Sequence, residues 1–135
     1  MPYPSHRRQL SANLKTTGIT PRIADLARQW TAAAASPADK AQALIKVFTD
    51  RFRYSLNVPA PPAGANPMEY FLFQTRAGHC EYFAGAFCLM LRALGIPARV
   101  VEGFSGAEAG AAPNQYVVRF ANAHAWVEAV LGNNE

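Results

Sequence analysis

The sequence predicts an α+β domain, with helices first and an antiparallel sheet after them. Two observations carry this. Apolar residues recur at helical spacing up to Leu94, and strand-like runs follow from Ala98 onward. The two patterns succeed one another and do not alternate, which argues against a parallel βαβ order. The 135 residues make one domain, and with 50% of them apolar they can bury a sizeable core. No apolar run approaches the roughly 20 residues of a membrane-spanning helix. The start, Met1-Pro2-Tyr3-Pro4-Ser5, has no apolar stretch after Arg7-Arg8 and does not read as a secretory signal.

Residues 1–18 read as an N-terminal arm and 19–135 as the core domain. Thr20 is a suitable N-cap and Pro21 a favoured first helical residue. Ile23, Leu26, Ala27 and Trp30 share one face, and the run Ala32 to Ala35 continues the helix. Ser36-Pro37 stops it and caps the next, with Asp39 at capping-box spacing. That second helix turns Ala41, Leu44, Ile45, Phe48 and Phe52 inward. Residues 55–67 hold Pro59, Pro61, Pro62, Gly64 and Pro67, the composition of an irregular loop. Asn66-Pro67 opens a short helix that Gly78 breaks. A third long helix runs from about Cys80 to Leu94. Phe83, Ala84, Phe87, Cys88, Leu91 and Leu94 make it apolar nearly all round, so it is the central buried helix. Gly95 and Pro97 end it. Strands follow at 98–104, 115–120 and 123–131, joined as an antiparallel meander through a Gly- and Ala-rich connection at 105–114.

Thirteen basic and nine acidic side chains give a net charge of +4. The arginines are scattered along the chain, whereas a nucleic-acid binder concentrates them on one stripe; no nucleic-acid partner is expected. Cys80 and Cys88 stand eight apart on one helix, about 12 Å along its axis. A disulfide needs Cα atoms within about 7 Å, so the two do not pair, and they do not reveal the redox compartment.

Cys80 follows Gly78-His79 at the start of the buried helix. Helix N-termini carry unpaired N–H groups and partial positive charge. A thiol there ionises more easily, and the thiolate is the nucleophile. A plain buried thiol is the alternative reading, and it is the one that suits Cys88. A nucleophilic Cys needs a base to take its proton and return it to a leaving group. The candidates are His6 in the arm, His79 beside the thiol, and His124 at the start of the last strand. Alternation puts His124, Trp126 and Glu128 on one face of that strand. A metal site from Cys80, His79 and His124 has neither CxxC nor HxxxH spacing and is not expected.

Three blocks in order resemble the transglutaminase-like superfamily of papain-type Cys-His-Asp enzymes. They are Gly78-His79-Cys80-Glu81-Tyr82-Phe83-Ala84, then Leu91 through Val101 with Gly103-Phe104, and Ala123-His124-Ala125-Trp126-Val127-Glu128. The segment 70–76 and Phe52 to Leu56 fit its bacterial transglutaminase-like cysteine proteinase branch. The resemblance implies a papain-like transglutaminase core, with the Cys-bearing helix packed on the sheet. It implies Cys80 as nucleophile and His124 as general base and acid. Tyr54 becomes a candidate oxyanion donor and Trp126 a wall of the site, while Glu81 complements the helix start and is a secondary candidate. The family's third member is an Asp on a following strand. No Asp follows Asp50 here, so the core is expected to be truncated at its C-terminus. The last strand would then be an edge.

The implied chemistry is thiol acyl transfer on a protein or peptide substrate, ending in hydrolysis or in amine cross-linking, without a cofactor. The branch is often membrane-anchored, which extends to the parent of this domain. A catalytically silent module binding peptide or cell-wall material is the competing reading.

Overall fold

The computed structural model describes Lys15 and residues 17–102, 115–119 and 125–130. His6, most of the arm, the connection at 105–114 and His124 lie outside the described residues. Helix α1 spans Pro21–Trp30. Thr20 caps it as expected, its hydroxyl accepting from the Ile23 N–H at 3.2 Å. The helix ends before the alanine run that was expected to extend it. Thr31 is buried, and its hydroxyl donates to the Ala27 carbonyl at 2.7 Å. The helix propensity of the alanines loses to the next start. A residue before proline is pushed out of the helical region, and Ser36 is extended at φ −93, ψ 159. Its hydroxyl accepts from the Asp39 N–H at 3.0 Å and opens α2, Pro37–Arg51. Ala41, Leu44 and Phe48 are buried on α2, and Phe52 just beyond it.

The chain then forms β1, Arg53–Tyr54, which pairs in parallel with β2, Ala77–Gly78. The Arg53 N–H donates to the Arg76 carbonyl at 2.9 Å and the Ser55 N–H to the Gly78 carbonyl at 2.8 Å. Two-residue strands leave no periodicity, and the sequence reading missed this clamp. Between the two lies α3, Pro67–Tyr70, capped by Asn66. It widens into a π-helical turn at Phe71–Thr75. The break expected at Gly78 falls instead at Arg76, which is left-handed at φ 51. The Arg76 N–H donates to the Phe71 carbonyl at 2.9 Å and closes the wide turn. Gly78 allows close approach: a Cβ there would stand 3.2 Å from Tyr82 and 3.3 Å from Phe71.

Helix α4, Cys80–Ala93, is the central helix, with Phe83, Ala84, Ala86, Phe87, Cys88, Met90 and Leu91 buried. Gly95 ends it at φ 82. The Gly95 N–H donates to the Arg92 carbonyl at 3.0 Å and the Ile96 N–H to the Leu91 carbonyl at 2.9 Å. This is the paired bonding of a glycine C-terminus.

Strands β3, Ala98–Glu102, β4, Gln115–Arg119, and β5, Ala125–Val130, form an antiparallel sheet in the order β3-β5-β4. The expected meander is therefore corrected: the last strand inserts between the first two. The expected edge is corrected with it. Val127 lies opposite Val100 on one side and Val118 on the other. Val127, Ala129 and Val130 of this central strand are buried.

The Phe48 ring joins the helical elements. Phe48 of α2 stands 5.6 Å from Trp30 of α1, 6.5 Å from Phe71 of the π turn, and 5.9 and 6.4 Å from Phe83 and Phe87 of α4. Aromatic pairs at these separations add to the area that each ring buries. Phe48→Ala is expected to lower unfolding free energy by about 3–5 kcal/mol. Urea denaturation checks this, with the midpoint falling and the slope unchanged.

Candidate active site

Cys80 is the first residue of α4 and is half-buried. The chain reaches it from β2, whose position β1 fixes. His79 is the N-cap, extended at φ −88, ψ −179. The Glu81 N–H donates to its Nδ1 at 3.2 Å. The Tyr82 and Phe83 N–H groups donate to the His79 carbonyl at 3.0 and 3.4 Å. Among the described residues, no group accepts from the N–H of Cys80. The first turn thus keeps one donor beside the thiol while its next three are engaged.

The sequence reading did not identify this cap. His is a rarer cap than Ser, Asp or Asn, so the motif gave little signal. The imidazole also packs on the Tyr82 ring, with centroids 4.9 Å apart. An accepting Nδ1 puts the proton of the neutral ring on Nε2. The nitrogen nearest the helix is therefore engaged with the backbone.

His79 and Tyr82 form a ridge between two clefts. One, about 220 Å³, lies against the proline-rich loop and is lined by Ser55, Leu56, Pro59 and Tyr70. The other, about 370 Å³, is lined by Met68, Glu81, Gly85 and Val100. Gly85 leaves room for Met68 there, since a Cβ would come within 2.9 Å of its Cε.

Tyr54 is 42% exposed, and its backbone pairs with Gly78, two residues before the thiol. Glu81 is exposed in the first turn of α4, an ordinary complement to the helix dipole. The backbone of Trp126 lies between Val101 of β3 and Arg119 of β4. His124 lies outside the described residues. The sheet register still has a consequence. Arg92, near the C-terminal end of α4, donates to the Ala98 carbonyl at 2.8 Å where β3 begins. β3 then returns toward the N-terminal end, where Val100 shares a cleft with His79. β5 runs antiparallel to β3, so its first residue, Ala125, stands opposite Glu102. The starts of α4 and β5 therefore lie at one end of the fold.

Glu128 was expected to share a strand face with His124 and Trp126. It is 5% exposed, and the Arg99 Nε and Nη2 both donate to its Oε1, at 2.9 and 2.7 Å. The strand register makes this pair, Arg99 lying directly opposite Glu128. Cys88 is buried among apolar side chains. Burial pushes its thiol above the ordinary value of 9.0, against smaller opposing effects of Arg92 and the Val100 backbone. Among the described residues, no three His, Cys, Asp or Glu side chains could hold a metal. No helix among them is long and apolar enough to cross a membrane.

The profile of the transglutaminase-like superfamily matches residues 24–135. A Pseudomonas aeruginosa protein named protein-glutamine gamma-glutamyltransferase is 45% identical over 109 residues, 80% of this chain and 16% of that protein. The uncharacterized protein YebA of Bacillus subtilis is 41% identical over 76 residues, 53% of this chain and 10% of that protein. The chain thus spans a small part of the relatives it matches. The crystal structure of the periplasmic domain of TgpA from Pseudomonas aeruginosa aligns with a TM-score of 0.63 at 33% identity, covering 94% of this chain and 40% of that one. The same domain bound to ethylmercury aligns with a TM-score of 0.63 at 39% identity, over 76% and 37%.

The two thiols should separate in native alkylation. Cys80 is expected to react with iodoacetamide at least roughly tenfold faster than Cys88 near neutral pH. Mass spectrometry of timed aliquots reads the two rates, and equal rates would contradict the geometry. Cys88 also sets an alkaline limb of stability. Its folded thiol ionises at higher pH than its unfolded one, so its contribution is full below the unfolded value. It is lost as pH rises through the folded value. Cys88→Ala should flatten the fall in urea midpoint above about pH 9 relative to the native chain.

Proposed function

The chain belongs to the transglutaminase-like superfamily, and we propose that it transfers acyl groups through a thioester on Cys80. The observation that carries this is the half-buried thiol at the first position of the buried helix, beside an N–H that no described group accepts. His124 takes the thiol proton. The Sγ–C bond forms at a carboxamide carbon, and the oxyanion draws on the Cys80 N–H and the Tyr54 hydroxyl. The C–N bond then breaks, and His124 returns its proton to the departing ammonia. A primary amine attacks the thioester carbon, His124 takes the proton the amine gives up, a new C–N bond forms, the C–S bond breaks and the thiolate leaves. Water in place of the amine gives hydrolysis. Trp126 is assigned to the wall of the site by the family resemblance alone.

The acyl donor in this reading is a glutamine side chain of a protein or peptide. The name of the Pseudomonas aeruginosa relative supports this choice over peptide cleavage. The compartment we propose is the periplasmic side of a membrane-anchored protein, as the solved domains suggest.

Incorporation of a fluorescent primary amine into a glutamine-rich acceptor protein tests the reading. Cys80→Ala and His124→Ala are each expected to lose several orders of magnitude in rate, as loss of a member of a nucleophile–base pair does elsewhere. Cys88→Ala should keep the rate. Fast alkylation of Cys80 without amine incorporation or ammonia release would favour the silent binding module.

A further inference from the structure

We propose that His79 is a positioning residue for the oxyanion donor, acting through the first turn of α4. This rests on the acyl-transfer reading and adds a residue to it. The Nδ1 of His79 accepts from the Glu81 N–H at 3.2 Å, and its carbonyl accepts from Tyr82 and Phe83. Those bonds tie down the three donors that follow Cys80. The peptide plane between His79 and Cys80 carries the remaining N–H, and it is held from both sides. β1 grips the chain before it through the Ser55–Gly78 bond of 2.8 Å, and the cap grips the turn after it. The Tyr82 ring, 4.9 Å from the imidazole, and the close approach of Gly78 to Tyr82 fix the ring itself. The direction of the Cys80 N–H is thus set by His79. An oxyanion donor works by being aimed before the charge forms.

The capping atom of His79 is a ring nitrogen and not a carboxylate oxygen, and that suits its neighbours. An aspartate cap would set a carboxylate beside a thiolate and an oxyanion, and like charges disfavour each other.

Two reactions of one thiol separate aim from nucleophilicity. Iodoacetamide alkylates Sγ with loss of iodide and needs no oxyanion donor. p-Nitrophenyl acetate forms an Sγ–acyl bond, breaks its C–O bond and releases p-nitrophenolate, passing through an oxyanion. The ratio of acylation to alkylation at Cys80 therefore reads the aim of the N–H. His79→Ala is expected to lower this ratio roughly fivefold, short of the 10²-fold or more that follows deletion of a donor. His79→Asn, which restores a neutral capping oxygen, should return it to within about twofold of the native chain. Should His79→Ala not fold, His79→Gly removes the acceptor at smaller cost to the helix and takes its place. An unchanged ratio in the variant lacking the acceptor would overturn the assignment, as would a folded His79→Asn that stays as low. In both cases the acyl-transfer reading stands. A native chain that alkylates at Cys80 but is never acylated would sink both.

Discussion

Phe48 meets rings from α1, the π turn and α4, and this contact fixes where α4 sits along its own axis. A helix that slid by one turn would move about 5.4 Å and pull Phe83 and Phe87 out of register with the cluster. Close-packed cores do not yield that way. The β1–β2 clamp then fixes the chain that enters the helix. With Phe83, Ala84, Ala86, Phe87, Cys88, Met90 and Leu91 buried along α4, its ends are where its chemistry is most accessible. Gly95 closes the C-terminal end by the bonds of the Gly95 and Ile96 N–H groups. The N-terminal end keeps a half-buried thiol and one donor that no described group accepts.

The same helix carries a second thiol with the opposite surroundings. Cys88 shares the chemistry of Cys80 and none of its access, because apolar side chains cover it and burial holds it protonated. Position along one helix separates the two. The sheet shows a related economy. β5 is central and its residues 127–130 are buried, yet it carries Glu128. A buried carboxylate left unpaired is costly, and Arg99 on β3 pairs it through two bonds to Oε1. That pair exists in only one register, so the charge also argues for the strand alignment that apolar burial favours.

The helical half of the fold was legible because its signals are local. Thr20-Pro21, Ser36-Pro37 and Gly95 each act within four residues, and each does what its chemistry dictates. The blocks around Cys80 and His124 placed the chain in its family, and the thiol lies at the helix start as expected. What failed was non-local or weakly signalled. The alanine run promised more helix than Thr31 and the Ser36-Pro37 start allow. Arg76 takes a left-handed turn that favours glycine, and no residue rule anticipates it; the wide π turn and the clamp impose it. Strand order depends on pairing across the connection at 105–114, which composition does not encode. The burial of Glu128 needed the register to be known first.

His79 stands nearest the thiol in sequence, and nearness alone recommends it as the base. Backbone geometry argues otherwise. His79 is extended and Cys80 is helical, so their side chains leave the backbone in different directions. The extended conformation is the one that lets a cap reach back to the second N–H of the helix, and Nδ1 does so. A base must be free to gain and lose a proton, whereas a cap must keep a lone pair on the backbone. One nitrogen cannot hold a lone pair on the Glu81 N–H and also carry the thiol proton. In the proposed mechanism the proton falls to a residue arriving from elsewhere in the fold. β5 begins toward the N-terminal end of α4, since Ala125 pairs with Glu102 at the end of β3 remote from the C-terminus of the helix.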